Sequence, residues 1–471
     1  MICRATSSFG RLNAFQRVML QWSELHPYNA AHSYRLSGPA NLPALREAIR
    51  QAFEHNALGV AEIDPDGGWY RYEAADGPEA TEVELLGGSG LPENRLAAHL
   101  TRELNRPFAR PRCQPFRFGV VDAGPHSHYV SLTYDHWTAD SVGARLLMRH
   151  VLGRYLKLEI PENETAMDLY PGTYREMFRD RLRGARLALP ALRSLWTWLD
   201  NRSVRRVAYA SVGQMDIGYA AQAVQAGTVE KVRRFARANE ASVNDVFLAI
   251  LTRAMANFLP RRSSKGGEAP LALGNIVDTR GDAGEDLSES LGTFLGYFVV
   301  RVAGDRSIGL AELTRQIAAA TRIEKQQRRY LDSAVGFGIS GAVWPHLRRN
   351  SRVHFARRAQ PLTAGVSNVY LRGTWIDQYG AGRILDVRRA VSNGPTLPIV
   401  ISPTTLGENM NVAVTYRLTG FSQAKIEGIV QSFVEQLETL DDRGGGRTPG
   451  RAFFPGVPLS EQPLDDAGVA A

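Results

Sequence analysis

The sequence is poor in cysteine and lysine, and it has no long apolar run. Its 471 residues include only two cysteines, Cys3 and Cys113, which match no disulfide framework and no zinc-binding spacing. No segment approaches the roughly 20 apolar residues that cross a bilayer. The N-terminus lacks the basic and apolar segments of a secretory signal. We therefore expect two free thiols, no bound metal, no transmembrane segment and a cytoplasmic location.

Because lysine is scarce, arginine carries almost all of the positive charge in a chain of net charge +8. The charge is concentrated in two stretches, Tyr174–Arg206 and Arg322–Arg358. Such stretches attract nucleic acids, membranes, phosphorylated cofactors or acidic proteins, or they are solvated helix faces without a dedicated partner. Nucleic acid is the weakest of these, since no binding motif is present. The apolar segment at 188–199 could lie on a membrane, although packing onto the core is commoner.

The order of the predicted elements indicates an α+β protein, because sheets and helices alternate in two similar groups. Residues 1–165 form a first lobe and residues 213–440 a second lobe. Residues 166–212 form a basic bridging segment, punctuated by prolines. Residues 441–471 form a glycine- and proline-containing tail that is predicted to be loose.

Three local patterns give more detailed predictions. The consecutive segments FRFGVVDAG and HYVSLTYD predict two strands joined as a hairpin. Ser242 and Asp245 have the spacing of a capping box at the start of an apolar helix. The segment 291–303, LGTFLGYFVVRVA, reads as one continuous strand.

The segment YVSLTYDHWTADSVGARLL, residues 129–147, is the part of the sequence that predicts chemistry. An apolar strand ends at Asp135–His136, and Asp140 follows where a helix begins. A histidine between two carboxylates can transfer protons, because its pKa lies near neutrality. A lone histidine is more often structural, however, and Asp140, like Arg280 further along the chain, could be a surface charge. The motif alone leaves these alternatives open.

Together with its companion segments, this motif resembles the HxxxD box of the superfamily of condensation domains and CoA-dependent acyltransferases. The resemblance covers about residues 10 to 440, and the companion segments are SVNDVFLAILTRAM, NIVDTR, LGTFLGYFVV and GVSN. It implies two chloramphenicol-acetyltransferase-like α/β sandwich lobes in a V, with a tunnel between them. In that family an acyl thioester enters from one side and an amine or alcohol from the other.

The resemblance also implies roles for individual residues. His136 would be the catalytic residue, either as a general base or by positioning the acceptor. Asp140 would point away from the reaction and pair with Arg280 of NIVDTR. Ser367 and Asn368 match the position where relatives direct polar groups at the reacting carbonyl, although a Ser-Asn turn explains the pair equally well.

The sequence departs from the condensation-domain pattern HHxxxDG at two positions. Asp135 replaces the first histidine, which many acyltransferase relatives also lack, and Ser141 replaces the final glycine. Asp135, Trp137 and Ser141 are therefore candidate substrate contacts, and Ser141 would put a side chain into the channel. The DFGWG motif of the plant enzymes is absent, which argues against that branch.

The implied reaction joins an acyl thioester to an amine or alcohol and yields an amide or ester. The resemblance implies no tightly bound cofactor; the acyl group would be carried on the phosphopantetheine of CoA or of an acyl- or peptidyl-carrier protein. The context would be a free-standing condensation enzyme of nonribosomal peptide or other secondary metabolism. The alternative is a non-catalytic module of the same fold that recruits a carrier protein or partner enzyme.

Overall fold

The computed structural model describes residues 7–74, 81–159, 165–169, 172–259, 269–303, 307–359, 362–440 and 454–455. Cys3 and nearly all of the predicted tail at 441–471 lie outside the described residues. Cys113 is a buried free thiol, and burial raises its pKa to about 12. None of the described helices combines the length and apolarity that a membrane crossing requires.

The described chain contains helices and strands in the mixed order that the sequence predicts. The helices are α1 (Ala14–Ser23), α2 (Leu42–His55), α3 (Pro92–Asn105), α4 (Ser141–Leu156), α5 (Tyr174–Met177), α6 (Ala188–Asn201), α7 (Thr228–Ala238), α8 (Val243–Phe258), α9 (Leu310–Gln326), α10 (Ser333–Val343), α11 (Arg349–Ala359), α12 (Trp375–Gln378) and α13 (Gln423–Glu438). The strands are β1 (Ser7–Arg11), β2 (Asn29–Ser37), β3 (Gly59–Asp64), β4 (Trp69–Ala74), β5 (Val83–Leu86), β6 (Arg112–Cys113), β7 (Phe116–Asp122), β8 (Ser127–Asp135), β9 (Asp168–Leu169), β10 (Ile217–Ala223), β11 (Leu271–Asp278), β12 (Ser290–Leu291), β13 (Leu295–Val302), β14 (Ala364–Val366), β15 (Val369–Tyr370), β16 (Ile384–Ala390), β17 (Ile399–Leu406), β18 (Asn409–Arg417) and β19 (Phe454–Pro455).

Two main sheets organise the two α+β lobes. The first sheet has the order β16-β2-β8-β7-β5, and a smaller sheet, β1-β4-β3-β6, belongs to the same part of the chain. The second sheet has the order β13-β11-β14-β17-β18-β10-β19, with β15 paired to β17. Helices α2 and α4 pack together in the first lobe, and α8 packs between α9 and α13 in the second. The α+β prediction with two lobes is therefore confirmed.

The predicted hairpin forms the centre of the first sheet. Strands β7 and β8 are antiparallel, with Phe116 opposite Tyr134 and Asp122 opposite His128. All nine residues of β8 are buried, which is typical of a central strand covered on both faces. Strand β8 therefore ends inside the molecule, and the residues that follow it, 136–140, are buried as well.

The predicted capping box at the start of α8 is also present. The Ser242 hydroxyl accepts from the Asp245 backbone N–H, and the Asp245 carboxylate accepts from the Ser242 backbone N–H. The same carboxylate accepts from the Thr321 hydroxyl of α9 at 2.7 Å. This cap both starts α8 and joins it to its neighbour.

One strand crosses the division at residue 212 that the sequence predicts. Strand β16 comes from the second half of the chain, yet it pairs with β2 as the edge of the first sheet, with Val387 opposite Tyr34. Alternating apolar residues identify a strand, but they do not identify the sheet that it joins. The two lobes are therefore linked by a shared sheet as well as by the bridge.

The bridging segment is ordered against the second half of the chain over its described residues. The Arg181 guanidinium pairs with Asp332 at 2.7 Å, and the Trp198 indole N–H donates to the Arg358 carbonyl at 2.8 Å. Strand β9 pairs with β12 in a separate two-stranded sheet. The bridge is thus a packed part of the fold.

We expect β16 to be essential for the stability of the first lobe. Val387 is buried with 1% of its surface exposed, whereas Leu385 in the same strand is 40% exposed. Val387→Asp should lower the free energy of unfolding by about 3 kcal/mol or more, because it buries an unpaired charge. Leu385→Asp is the matched control and should change it by less than about 1 kcal/mol. Urea unfolding measures both, and equal midpoints would contradict a structural role for β16.

Candidate functional site

His136 lies on the turn between β8 and α4, because β8 ends at Asp135 and α4 begins at Ser141. Its backbone N–H donates to the Tyr28 carbonyl at 3.0 Å, and its ring stacks on that of Tyr28. Its Nδ1 lies 3.0 Å from the Ala139 carbonyl. Since a carbonyl only accepts, Nδ1 carries the proton, and Nε2 is left with a lone pair. The turn thus holds a ring whose Nε2 can accept a proton.

The surroundings of His136 keep its imidazole neutral. The residue is 9% exposed, and burial lowers its pKa below the ordinary value for histidine. The hydrogen bond to Ala139 and the charge of Asp140 oppose this shift without reversing it. The neutral imidazole is the form that acts as a general base.

Asp140 is the N-cap of α4 and the centre of a buried ion pair with Arg280. The Asp140 carboxylate accepts from Nη1 of Arg280 at 2.7 Å and from Nη2 at 3.0 Å. It also accepts from the backbone N–H groups of Val142 and Gly143 at the start of α4. This is the pairing that the resemblance implied. The hydrogen-bond donors that the structure shows for this carboxylate lie on Arg280, on Phe294 and at the start of α4.

The pair is charged despite its burial. Burial alone would raise the pKa of Asp140, but Arg280 and the backbone N–H donors hold it below its usual value. Burial would lower the pKa of Arg280, and Asp140 keeps it above its usual value. Both shifts favour the ionised forms, so the pair is a fixed electrostatic link across 140 residues of sequence.

The prediction of one continuous strand over 291–303 is wrong at its start. The structure has β12 and β13 with a break at Gly292–Phe294, and this break binds the turn that carries His136. The Asp140 backbone N–H donates to the Gly292 carbonyl, and the Phe294 backbone N–H donates to the Asp140 carboxylate, each at 2.9 Å. The backbone cannot form ladder hydrogen bonds where it is used for these contacts.

His136 lines a cavity of about 120 Å³ between the two halves of the chain. The first half also contributes Tyr28 and Ser141, and the second half contributes residues that include Asn275, Tyr297, Ser367 and Arg389. The joint between two lobes is a common location for a ligand pocket. The tunnel with two mouths that the resemblance implies stays a prediction.

Two of the predicted substrate contacts lie beside His136, and three lie elsewhere. Ser141 and Ser367 line the cavity, whereas Asp135, Trp137 and Asn368 do not. Asp135 is buried against Arg110, whose Nη2 lies 2.6 Å from its carboxylate. Trp137 is fully buried and packs edge-on against Tyr70.

The structure therefore corrects the candidate role of Asp135 and Trp137 as substrate contacts. Both residues flank His136 in sequence, and the turn that the Thr138 backbone N–H closes on the Asp135 carbonyl directs successive side chains to different sides. When His136 faces the cavity, its two neighbours face the core. Burial raises the pKa of Asp135, although Arg110 opposes this shift.

Sequence reasoning missed Arg389, which lines the cavity from β16. Its Nη1 donates to the Ser367 hydroxyl at 3.2 Å, its Nε donates to the Thr404 hydroxyl at 3.1 Å, and its Nη2 donates to the Ser367 carbonyl. Burial and the nearby Arg145 lower its pKa to about 9. Among the described residues, no carboxylate lies within ion-pair distance of Arg389. The sequence did contain a signal for this residue. Arg388 and Arg389 are adjacent in the strand segment ILDVRRAVS, and adjacent side chains of a strand point to opposite faces, so one of the two must face inward.

Ser141 is held by polar side chains that the motif did not indicate. Nη1 of Arg145, one helical turn later, donates to the Ser141 hydroxyl at 2.8 Å. Nε2 of His32 lies 3.4 Å from the same hydroxyl, and burial keeps the pKa of His32 well below its usual value. The serine that replaces glycine is thus part of a polar wall beside His136.

In the part of the chain that the structure describes, one cluster has the composition of a metal site. It consists of Glu84, His99 and Glu103. These groups already have partners, since His99 bonds to Ser131 and Glu103 pairs with Arg117 at 2.7 Å. Because its ligands are engaged in this way, the cluster does not support a metal site.

A larger cavity of about 1140 Å³ adjoins the first, between α6, α10, α11 and β13. Tyr297 and Leu362 line both cavities. The Tyr297 ring packs against Phe337, which lines the smaller cavity, with centroids 5.1 Å apart. None of the predicted catalytic side chains lines the larger cavity, so we assign the chemistry to the smaller one.

Comparison with known proteins identifies the fold. No family model and no curated protein matches the sequence. The first condensation domain of the CDA synthetase is 16% identical, with a TM-score of 0.66 over 93% of this chain and 97% of that chain. A trichothecene 15-O-acetyltransferase from Fusarium sporotrichioides is 10% identical, with a TM-score of 0.69 over 92% of this chain and 96% of that one.

A third structure with this fold is described as an epimerization domain, which is a different reaction. The epimerization domain from the third module of tyrocidine synthetase B is 13% identical, with a TM-score of 0.62 over 92% of this chain and 96% of that one. The chain therefore has the fold of condensation domains and related acyltransferases. At these identities the likeness establishes the fold alone, since one fold hosts several chemistries.

Removing Asp140 should destabilise the protein strongly. Asp140→Ala leaves Arg280 buried without its main partner, and we expect a loss of about 3 to 5 kcal/mol in the free energy of unfolding. Asp278→Ala is the matched control, because Asp278 also contacts Arg280 but is 45% exposed. It should cost less than about 1 kcal/mol. If urea unfolding shows that both variants lose the same free energy of unfolding, the Asp140–Arg280 pair does not stabilise the fold more than the exposed contact does.

Proposed function

We propose that this chain, which has the condensation-domain fold, is an acyltransferase that joins an acyl thioester to an amine or alcohol. The observation that carries the proposal is the state of His136: Nδ1 donates to the Ala139 carbonyl, and the residue lines the cavity between the lobes. A neutral imidazole with its lone pair on Nε2 is the form that proton abstraction requires. The product is an amide or an ester.

In the proposed mechanism His136 transfers one proton and forms no covalent bond. The acceptor N–H or O–H gives its proton to Nε2 while its heteroatom attacks the thioester carbonyl. When the tetrahedral intermediate collapses, the carbon–sulfur bond breaks, and the thiolate leaves with the proton from His136. Protons and electrons balance without a metal or a redox group. Positioned general-base catalysis of this kind contributes about 100- to 10,000-fold.

Ser367 is the best-supported candidate to stabilise the developing oxyanion. Its hydroxyl oxygen accepts from Nη1 of Arg389 and lines the same cavity as His136. Because this bond occupies an acceptor position, the hydroxyl hydrogen can donate to the substrate. The positive charge of Arg389 behind it, which has no carboxylate partner among the described residues, adds to the stabilisation of negative charge. Ser141, held by Arg145, is proposed as a polar contact to the acceptor.

The acyl donor is proposed to be carried on phosphopantetheine, either in CoA or on a carrier protein. Both donors are anionic, and the two arginine-rich stretches at Tyr174–Arg206 and Arg322–Arg358 suit either. The setting that we propose is nonribosomal peptide or other secondary metabolism. These assignments rest on the resemblance in sequence and on the names of the structural neighbours, which include condensation domains.

The second candidate is a non-catalytic module of the same fold that recruits a carrier protein or partner enzyme. The buried ion pair of Asp140 favours the enzyme over this module. The pair caps α4, joins it to Phe294 and so holds His136 at the cavity, a placement that a binding surface would not require. The two candidates predict different results for a single substitution.

Replacing His136 should abolish acyl transfer and leave the fold intact. Thiol release is followed with a panel of acyl-CoAs and acyl-pantetheines in the presence of amines and alcohols. His136→Ala should lower the rate about 100- to 10,000-fold. The control His126→Ala changes an exposed histidine outside the cavity and should leave the rate unchanged. If His136→Ala and the unmodified protein release thiol equally fast, His136 is not the catalytic base.

The acid limb of the pH profile should lie below pH 6.5. Because burial lowers the pKa of His136, its imidazole stays neutral to a lower pH than that of an exposed histidine. The ratio kcat/KM should therefore be constant through neutral pH and fall only below the reduced pKa. An alcohol acceptor is used, so that no acceptor amine titrates in this range. A limb above pH 6.5 would contradict the assignment of the base.

A further inference from the structure

Helix α6 presents its large apolar side chains to solvent. Five of them are between 38% and 58% exposed: Leu189, Leu192, Leu195, Trp196 and Leu199. The residues of α6 that are buried are Pro190 and Asn201. The sequence favoured packing of this apolar segment onto the core, and the structure shows the opposite orientation. An exposed apolar face of this kind marks an interaction site.

Helix α10 extends the same apolar surface. It packs beside α6, and its Ile339 and Val343 are 53% and 38% exposed. Among the described residues, seven of the fifteen exposed large apolar side chains belong to these two helices. Scattered single side chains would need no explanation, but this concentration does. We call the surface formed by α6, α10 and α11, which also encloses the larger cavity, the α6–α10 face.

Arginines outnumber acidic residues around this apolar surface, although Asp200, Glu324 and Asp332 also line it. The segment Arg183–Arg206 contains six arginines and one acidic residue, Asp200. The segment Ser333–Arg358 contains five arginines and no acidic residue. Exposed arginines include Arg202 and Arg358. The α6–α10 face therefore combines a strong positive charge with exposed leucine and tryptophan.

These arginines converge in space as well as in sequence. The Arg202 guanidinium lies 5.2 Å from the centroid of the Trp198 ring, whose indole N–H donates to the Arg358 carbonyl. Burial and the charges of Arg357, Arg358 and Arg202 lower the pKa of Arg206. Like charges thus crowd one another beside the apolar stripe, and an anionic partner would relieve their repulsion.

We propose that the α6–α10 face docks on an anionic lipid surface, with Leu192 and Trp196 inserted among the headgroups. A helix with leucine and tryptophan on one side and arginine around it lies in the plane of a membrane interface. A second copy of this chain fits less well, because two strongly basic faces would repel each other. The proposal does not depend on the acyl-transfer reaction.

Vesicle sedimentation of the 471-residue chain tests this surface. Vesicles of phosphatidylcholine alone are compared with vesicles of phosphatidylcholine mixed with phosphatidylglycerol. We expect binding to the mixed vesicles that weakens as salt is raised, and little binding to phosphatidylcholine alone. The double variant Leu192→Glu with Trp196→Glu should reduce the partition coefficient at least about tenfold, because apolar burial is lost and like charge is added.

The matched control places the same change on exposed leucines elsewhere. Leu85 and Leu91 are 53% and 56% exposed and lie outside the α6–α10 face. The double variant Leu85→Glu with Leu91→Glu should bind as the unmodified protein does, and thermal unfolding should show that both variants are folded. The proposal is overturned by absence of binding, by equal losses in both variants, or by retention of an acidic protein but not of vesicles. It is also overturned if light scattering shows that Leu192→Glu with Trp196→Glu dissolves a dimer.

Discussion

The ion pair between Asp140 and Arg280 is the interaction on which the site depends. One carboxylate caps α4, binds the guanidinium through two hydrogen bonds and accepts from the backbone of Phe294. The turn that holds His136 is therefore fixed at two points, namely at the start of α4 and at Phe294 of the second lobe. A buried ion pair is a poor source of net stability, because desolvation offsets much of the attraction. Its value here is geometric, since it determines where the imidazole lies.

The electrostatics of the cavity follow from the same arrangement. Asp140 is ion-paired with Arg280, and its charge raises the pKa of His136 by less than burial lowers it, so the ring stays neutral. Arg389 supplies positive charge beside Ser367 without a carboxylate partner among the described residues. A neutral base and a fixed positive charge are suited to a reaction that removes a proton and develops negative charge on oxygen.

The sequence predicts local features of this fold well and non-local ones poorly. The β7–β8 hairpin and the Ser242–Asp245 cap depend on neighbouring residues, and both are present. The break at Gly292–Phe294 depends on a partner about 150 residues away, so an apolar run alone could not reveal it. Arg389 was missed for the same reason, because its place in the cavity depends on the sheet that β16 joins. Asp135 and Trp137 were misjudged because proximity in sequence does not decide which side chains around a turn face the cavity.

The membership of β16 in the first sheet has a consequence for the order in which the protein can be made. A ribosome releases the chain from its N-terminus, so β2, β7 and β8 emerge long before Ile384–Ala390. Until that segment is synthesised, the edge of β2 has unpaired backbone groups that invite association with other chains. The first lobe therefore cannot mature during translation as an autonomous unit. The hydrogen bonds between β2 and β16 can form only after most of the second lobe has been translated.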